Sequence, residues 1–137
     1  MSILQTQTTS FKAELYQAVH NLSSDTLKVA LYNGNANLNE TTTAYTTSNE
    51  VSGGGYVAGG VVLTGVTINT SGFTAYVNFN NVNFSAAVTA RCALIYNASK
   101  GNKSIAVLDF GSDKTSASFT LTMPTNTPTT ALIRSSI

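Results

Sequence analysis

Glu50-Val-Ser-Gly-Gly-Gly-Tyr-Val-Ala-Gly-Gly-Val-Val-Leu-Thr-Gly-Val-Thr-Ile68 joins a glycine-rich turn directly to a β-rich run. Gly53, Gly54 and Gly55, then Gly59 and Gly60, stand ahead of Val61 to Ile68. Glycine reaches positive φ without a steric penalty, so the first cluster suits a tight reversal. The second lets the backbone pass close to a neighbour. The β-branched run after them predicts a buried or half-buried strand. A phosphate-binding loop does not fit. The Walker pattern needs Gly-Lys-Ser/Thr opening a helix, and the dinucleotide fingerprint needs a strand before its glycines and a helix after them. Here no Lys follows the glycines and a strand comes next.

Upstream, Thr26 to Asn33 alternates Leu27, Val29 and Leu31 against Lys28, Ala30 and Tyr32, which predicts a strand with one inward face. Asn33-Gly34 marks a turn, and Asn35 to Ser48 reads as a long polar loop containing Tyr45. Loops longer than about 12–15 residues are usually functional or mobile. Downstream, Phe73, Ala75, Val77 and Phe79 share one face of a strand, and Val82 to Phe84 continues briefly. Thr89 to Tyr96 is almost wholly apolar and reads as central; Ile105 to Phe110 reads as buried, with a turn at Gly111 to Lys114. Ala117 to Met123 alternates again, and Thr130 to Ile133 closes the series after Pro124 and Pro128.

One helix stands at the front. Phe11, Leu15, Ala18, Val19 and Leu22 form an apolar stripe at helical spacing, predicting a helix over 10–22 with Thr9 or Ser10 as its cap and Glu14 in its first turn. About seven strands at spacings of about ten residues then point to an all-β chain, an antiparallel β-sandwich or jelly-roll-like domain. No helical pattern separates the strands, which excludes βαβ units. The domain is read as 10–137, preceded by a polar arm, residues 1–9, that carries Ile3 and Leu4.

Composition narrows the function. Charged residues make up 9% of the chain, against about 25% in an ordinary domain. A net charge of +1 leaves no electrostatic footprint for nucleic acid and no polybasic membrane patch. No apolar run approaches the ~20 residues of a membrane span. The N-terminus lacks a basic region followed by an apolar core, so no signal peptide is expected. A surface this poor in charge suits one engaged by other chains, or an extracellular structural part.

Nor do the reactive residue types converge. The lone His20 has no second His or Cys nearby in the sequence for a metal, and reads as a helix-end residue at the dipole's negative pole. Cys92, in the apolar run Ala90 to Tyr96, reads as a small buried hydrophobe. Asp109 and Asp113 flank Gly111 too sparsely for a calcium loop, and read as turn residues capping backbone amides. Lys100 and Lys103 read as a solvated turn tip. The six carboxylates lie on separate elements. Neither an enzyme nor a cofactor is expected.

Three segments are familiar together: Asp25-Thr-Leu-Lys-Val-Ala-Leu-Tyr32, the stretch from Glu50 to Thr67, and Thr89-Ala-Arg-Cys-Ala-Leu-Ile-Tyr96. They resemble a group of small tailed-phage virion proteins. In that group such a first strand precedes an acidic-Val-Ser-Gly-x-Gly-Tyr-x-Ala-Gly-Gly turn. A Thr-Ala-Arg-Tyr-Ala-like strand and an apolar strand ending Asp-Phe-Gly, here Asp109-Phe110-Gly111, come later. The resemblance spans residues 25–113, and Cys92 replaces the usual aromatic. It implies a structural component of the phage particle, located in the virion. The preferred form is a capsid decoration (cement) protein on the outer face of the head, with the major capsid protein as partner. A neck, tail or head-fibre module contacting the host surface is the alternative. Edge strands need cover, and decoration proteins meet the shell at symmetry axes, so a homo-oligomer, a trimer, is expected. The contacts expected are Ile3, Leu4 and Phe11 of the arm and helix, Tyr45 of the long loop, and the turn residues Gly53, Gly54, Gly55 and Tyr56. The arm is expected to be dispensable for folding.

Overall fold

Runs that are apolar on both faces can lie only in the middle of a sheet covered on both sides. The computed structural model describes residues 2–135 and puts the two longest such runs there. In chain order come β1 (Ser2–Ile3), β2 (Thr6–Gln7), α1 (Thr9–Tyr16), β3 (Leu27–Tyr32), β4 (Asn37–Leu38), β5 (Val61–Val62) and β6 (Thr67–Ser71). Then follow β7 (Thr74–Asn78), β8 (Val82–Asn83), β9 (Val88–Asn97), β10 (Lys103–Ser116), β11 (Thr120–Leu121) and β12 (Ile133–Ser135). The main sheet has the order β2-β10-β9-β3-β5, with every neighbouring pair antiparallel. A three-stranded antiparallel sheet, β12-β7-β6, and a β11–β8 ribbon accompany it.

The core has two parts because the main sheet is buried on both faces. On one face Leu27, Val29, Leu31, Ala93, Ile95 and Leu108 pack with Val77 and Ile133 of the smaller sheet, Val82 and Leu121 of the ribbon, and Phe11 of α1. On the other, Ala30, Tyr32, Cys92, Leu94, Tyr96 and Val107 lie beneath Ala36, Leu38 and the half-buried Ile3 and Tyr45. The fold is all-β, sandwich-like, with one short helix, as the strand pattern predicted.

The helix is shorter than its apolar stripe suggests. Thr8 caps it, its Oγ1 accepting from the Phe11 amide at 3.3 Å, and the helix ends at Tyr16, closed off by the Gln17, Ala18 and Val19 amides on the Glu14 and Leu15 carbonyls. Ala18 sits at φ +59, a left-handed conformation that no helix continues through. His20 supplies the reason. Its side chain is fully buried, with Nε2 2.8 Å from Glu14 Oε1 and Nδ1 2.9 Å from the Asn97 amide nitrogen. That nitrogen can only donate, so Nδ1 accepts and Nε2–H donates to Glu14. Glu14 thus serves His20 rather than the first turn, and His20 is a buried bridge rather than a helix end.

Two further expectations change. Val61 to Ile68 is not one buried strand: positive φ at Gly65 (+66) breaks it into β5, in the main sheet, and the start of β6, in the smaller one. Leu63 is buried between them, whereas Val62 and Ile68 are 46% and 52% exposed. The turn expected at Gly111 to Lys114 is instead a bulge within β10, where the partner register jumps from Asp109↔Cys92 to Lys114↔Ala90. Asp109 does cap there, accepting from the Gly111 amide at 2.9 Å and from Arg91 Nε at 3.1 Å.

Candidate functional site

The glycine turn is closed by one carboxylate. Glu50 lies beside the end of β3 through an isolated antiparallel bridge to Tyr32. Its Oε1 accepts from the Tyr45 hydroxyl at 2.6 Å, and its Oε2 accepts from the Tyr56 hydroxyl at 2.6 Å and the Gly59 amide at 2.8 Å. The Tyr56 oxygen in turn accepts from the Leu31 amide at 3.0 Å, tying the turn to β3. Tyr96 donates to the Gly59 carbonyl at 2.6 Å and stacks on Tyr45 with ring centroids 4.7 Å apart. Tyr32 donates to the Thr46 carbonyl at 2.6 Å, holding the long loop down. Charge-assisted bonds of this length are the strong kind.

The glycines divide by what surrounds them. Gly54 and Gly60 are needed for close approach: a Cβ on either would lie 1.9 Å from the Ala87 carbonyl oxygen or 1.8 Å from that of Val29. Gly53 and Gly55 are exposed; a Cβ on Gly55 would meet the Ser85 oxygen at 3.2 Å, and one on Gly53 would meet nothing within 4 Å.

Burial pushes the phenols of Tyr32, Tyr45, Tyr56 and Tyr96 above their ordinary range, and the negative Glu50 pushes them further. Burial likewise pushes the Cys92 thiol up to about 12. Near neutral pH these groups keep their protons. Tyr45 and Tyr56 donate these protons to Glu50. The cluster is a latch: it fixes a surface turn, and Val57 at its tip stands 72% exposed.

The expected contact residues fall into three places. Tyr45, Tyr56 and the glycine turn are brought together through Glu50, with Tyr45 and Tyr56 half-buried. Phe11 is completely buried in the domain's own core, 5.1 Å from the His20 ring, and so is not available to a partner in this structure. The arm is not free either. Ile3 pairs with Leu38 and the Leu4 amide donates to the Leu38 carbonyl at 3.0 Å, although the Leu4 side chain stays 49% exposed. Thr6 and Gln7 pair with Val107 and Ala106 of β10. Sequence reasoning missed Glu50, Gly59, Tyr32 and Tyr96 as members of the cluster. The spacing Glu50, Tyr56, Gly59 was visible in the quoted stretch, but the partners on β3 and β9 meet it only in three dimensions. No protein-family model, curated protein or solved structure matches the chain.

Proposed function

We propose that the chain is a structural protein of a tailed-phage particle, decorating the head shell by binding the major capsid protein across neighbouring capsomers. The observation that supports this is what the residues of the resemblance do. Glu50, Tyr56, Gly59 and Gly60 all hold one turn in place, and that turn holds Val57 out to solvent at 72% exposure. A fixed apolar side chain on a latched turn loses little freedom on docking, which suits a clamp between rigid shell subunits. The scarcity of charge, 9% of residues, fits a surface covered in the assembled particle. Self-association belongs to the same proposal, with a trimer as the form expected at a shell symmetry axis.

Two measurements test it. Quantitative mass spectrometry of purified particles should find hundreds of copies per particle; a dozen or fewer would transfer the chain to a neck, tail or head-fibre station. Val57→Asp should bind capsids lacking the protein at least tenfold more weakly than the unaltered chain while melting at the same temperature. Binding to tails or cells but never to capsids would refute decoration.

A further inference from the structure

β6 is an outer strand of the three-stranded sheet and has β7 on one side only. All five of its residues, Thr67 to Ser71, are exposed, and none is charged or proline. The turn into β7 has two residues, Gly72 at φ +57 and Phe73, so Ser71 and Thr74 form a hydrogen-bonded pair. Such pairs recur at every second residue, here Asn69↔Tyr76 and Thr67↔Asn78. The amides and carbonyls of Ile68 and Thr70 therefore point away from β7, and among the described residues they have no hydrogen-bond partner. Natural sheets blunt such an edge with lysine, proline, a bulge or a covering segment. Asn126 reaches Thr67 Oγ1 and Asn69 Oδ1 at 3.1 and 3.5 Å, but those side chains stand on the polar face and leave the edge open.

The opposite face of the same strand carries Ile68 and Thr70. Ile68, with Ala75, Val77 and Ile133, floors an open groove of about 940 Å³ whose far wall is Leu15 and Tyr16 of α1. Ile68 is 52% and Tyr16 92% exposed. A strand added to β6 would extend this floor and bring its own alternate side chains to the groove face.

We propose that β6 pairs antiparallel with β6 of a second copy about a two-fold axis at Asn69, joining the two three-stranded sheets into one. Ile68 of each copy then faces Thr70 of the other, and each of these pairs exchanges two backbone hydrogen bonds. Asn69 faces Asn69 across the intervening non-hydrogen-bonded pair. The two Ile68 side chains become diagonal neighbours on the groove face. No like charges meet, because the strand has none. The strand is self-complementary in register and in hydrogen bonding, and the pairing keeps Thr67, Asn69 and Ser71 of both copies together on one polar face, so a second copy fits this edge. The contact is isologous and closes at two copies. It is therefore separate from a trimer, and it does not depend on the phage proposal.

Directed crosslinking of the full chain tests the register. Asn69→Cys puts two thiols on a directly opposed pair whose Cα atoms lie about 4.5 Å apart, within reach of a disulfide. Ser71→Cys is as exposed and lies on the same face, but opposes Thr67 of the second copy. Under mild oxidation Asn69→Cys should reach a species of twice 14.3 kDa at least tenfold faster than Ser71→Cys, with the buried Cys92 taking no part. Equal rates, or no crosslink, overturn the proposal. In sedimentation equilibrium the unaltered chain should dimerise, and Thr70→Pro and Ile68→Lys should each weaken the dimer at least tenfold. Thr70→Pro removes only an outward amide, and Ile68→Lys adds charge at an exposed site, so Ile68→Lys decides alone if the proline variant does not fold. A chain that stays monomeric, or any oligomer that Ile68→Lys leaves intact, overturns the pairing.

Discussion

Gly53 and Gly60 sit in the same turn at nearly the same φ, +80 and +83, so backbone strain alone would make them equally sensitive to alanine. Their surroundings differ. A Cβ on Gly60 would lie 1.8 Å from the Val29 oxygen, 2.6 Å from the Val29 carbonyl carbon and 2.9 Å from the Ala30 Cα, all of them backbone of β3. On Gly53 it would meet nothing within 4 Å. Gly53→Ala should therefore cost only the left-handed strain, about 1–2 kcal/mol. Gly60→Ala adds a separation of more than an ångström between the turn and β3. That disrupts the Lys28↔Val62 and Val29↔Val61 pairing and loosens Leu63. Misfit of this kind adds about 1–3 kcal/mol, for a total of about 2–5 kcal/mol, set against the roughly 5–15 kcal/mol that holds a domain. At about 3–5 °C per kcal/mol for a chain of this size, Gly60→Ala should melt about 6–25 °C below the unaltered protein and Gly53→Ala about 3–10 °C below it. Gly54→Ala, with its Cβ 1.9 Å from the Ala87 oxygen, should resemble Gly60→Ala. Calorimetric melts of the three variants decide the matter. Equal shifts at Gly53 and Gly60 would mean that the turn does not press on β3, and the close-approach reasoning would fall.

Glu50→Ala leaves the Tyr45 and Tyr56 hydroxyls and the Gly59 amide without their acceptor, so urea unfolding should show a loss of about 2–4 kcal/mol. Glu50→Gln, whose carbonyl can still serve Tyr56 and Gly59, should lose about half as much; equal losses would refute the latch. Alkaline pH should destabilise the fold. Unfolded, Cys92 and the tyrosines ionise near 9.0 and 10.0, whereas burial keeps them protonated to higher pH in the folded chain. Above pH 9 the folded state therefore binds more protons, and stability falls as pH rises from there towards 12. Urea midpoints unchanged up to about pH 11 would contradict this. Deleting residues 1–8 removes β2 and the fully buried cap Thr8, so the melting temperature should drop by about 5 °C or more; an unchanged melt would restore the dispensable arm that sequence alone suggested.

The parts of the fold legible in the sequence are those governed by local periodicity. β9 is apolar on both faces over several residues, and such a run has one stable place in an antiparallel sandwich, whereas β3 reads as a strand with one inward face and is buried on both. Phe119, Leu121 and Met123 alternate, and all three are buried. Illegible parts depend on distant residues. The apolar stripe through Leu22 looks helical, but the chain leaves the helix to bring His20 to Asn97, 77 residues away. Val61 to Ile68 looks like one strand because β-branched residues dominate it, yet Gly65 steers its two ends into different sheets. Of the candidate site, the turn itself was legible from its glycines. The carboxylate that closes it was not, since the hydroxyls on it come from separate segments and Tyr96, which bonds Gly59, from a third.

Every acceptor position of Glu50 that faces the turn is occupied by Tyr45, Tyr56 or Gly59, and Gly60 is held by contact with β3. The quoted motif therefore specifies how the chain crosses from β3 to β5, and a chain that shares it should share that crossing. It does not specify a partner. The Val57 carbonyl accepts from the Gly60 amide at 2.9 Å, but its exposed side chain makes no bond to the latch, and the outward edge of β6, Ile68 and Thr70, lies at and beyond the motif's end. Residues at these two places can change without disturbing the fold, so they are where partner choice can vary. A chain that keeps Glu50, Tyr56, Gly59 and Gly60 but alters Val57 should fold alike and bind differently. Exchanging Val57 alone between two such chains, then measuring both melting temperature and partner affinity, separates the two properties. Affinity should follow the exchanged residue while the melting temperature stays with the latch. If both move together, the latch and the contact are one device, and the division drawn between them is wrong.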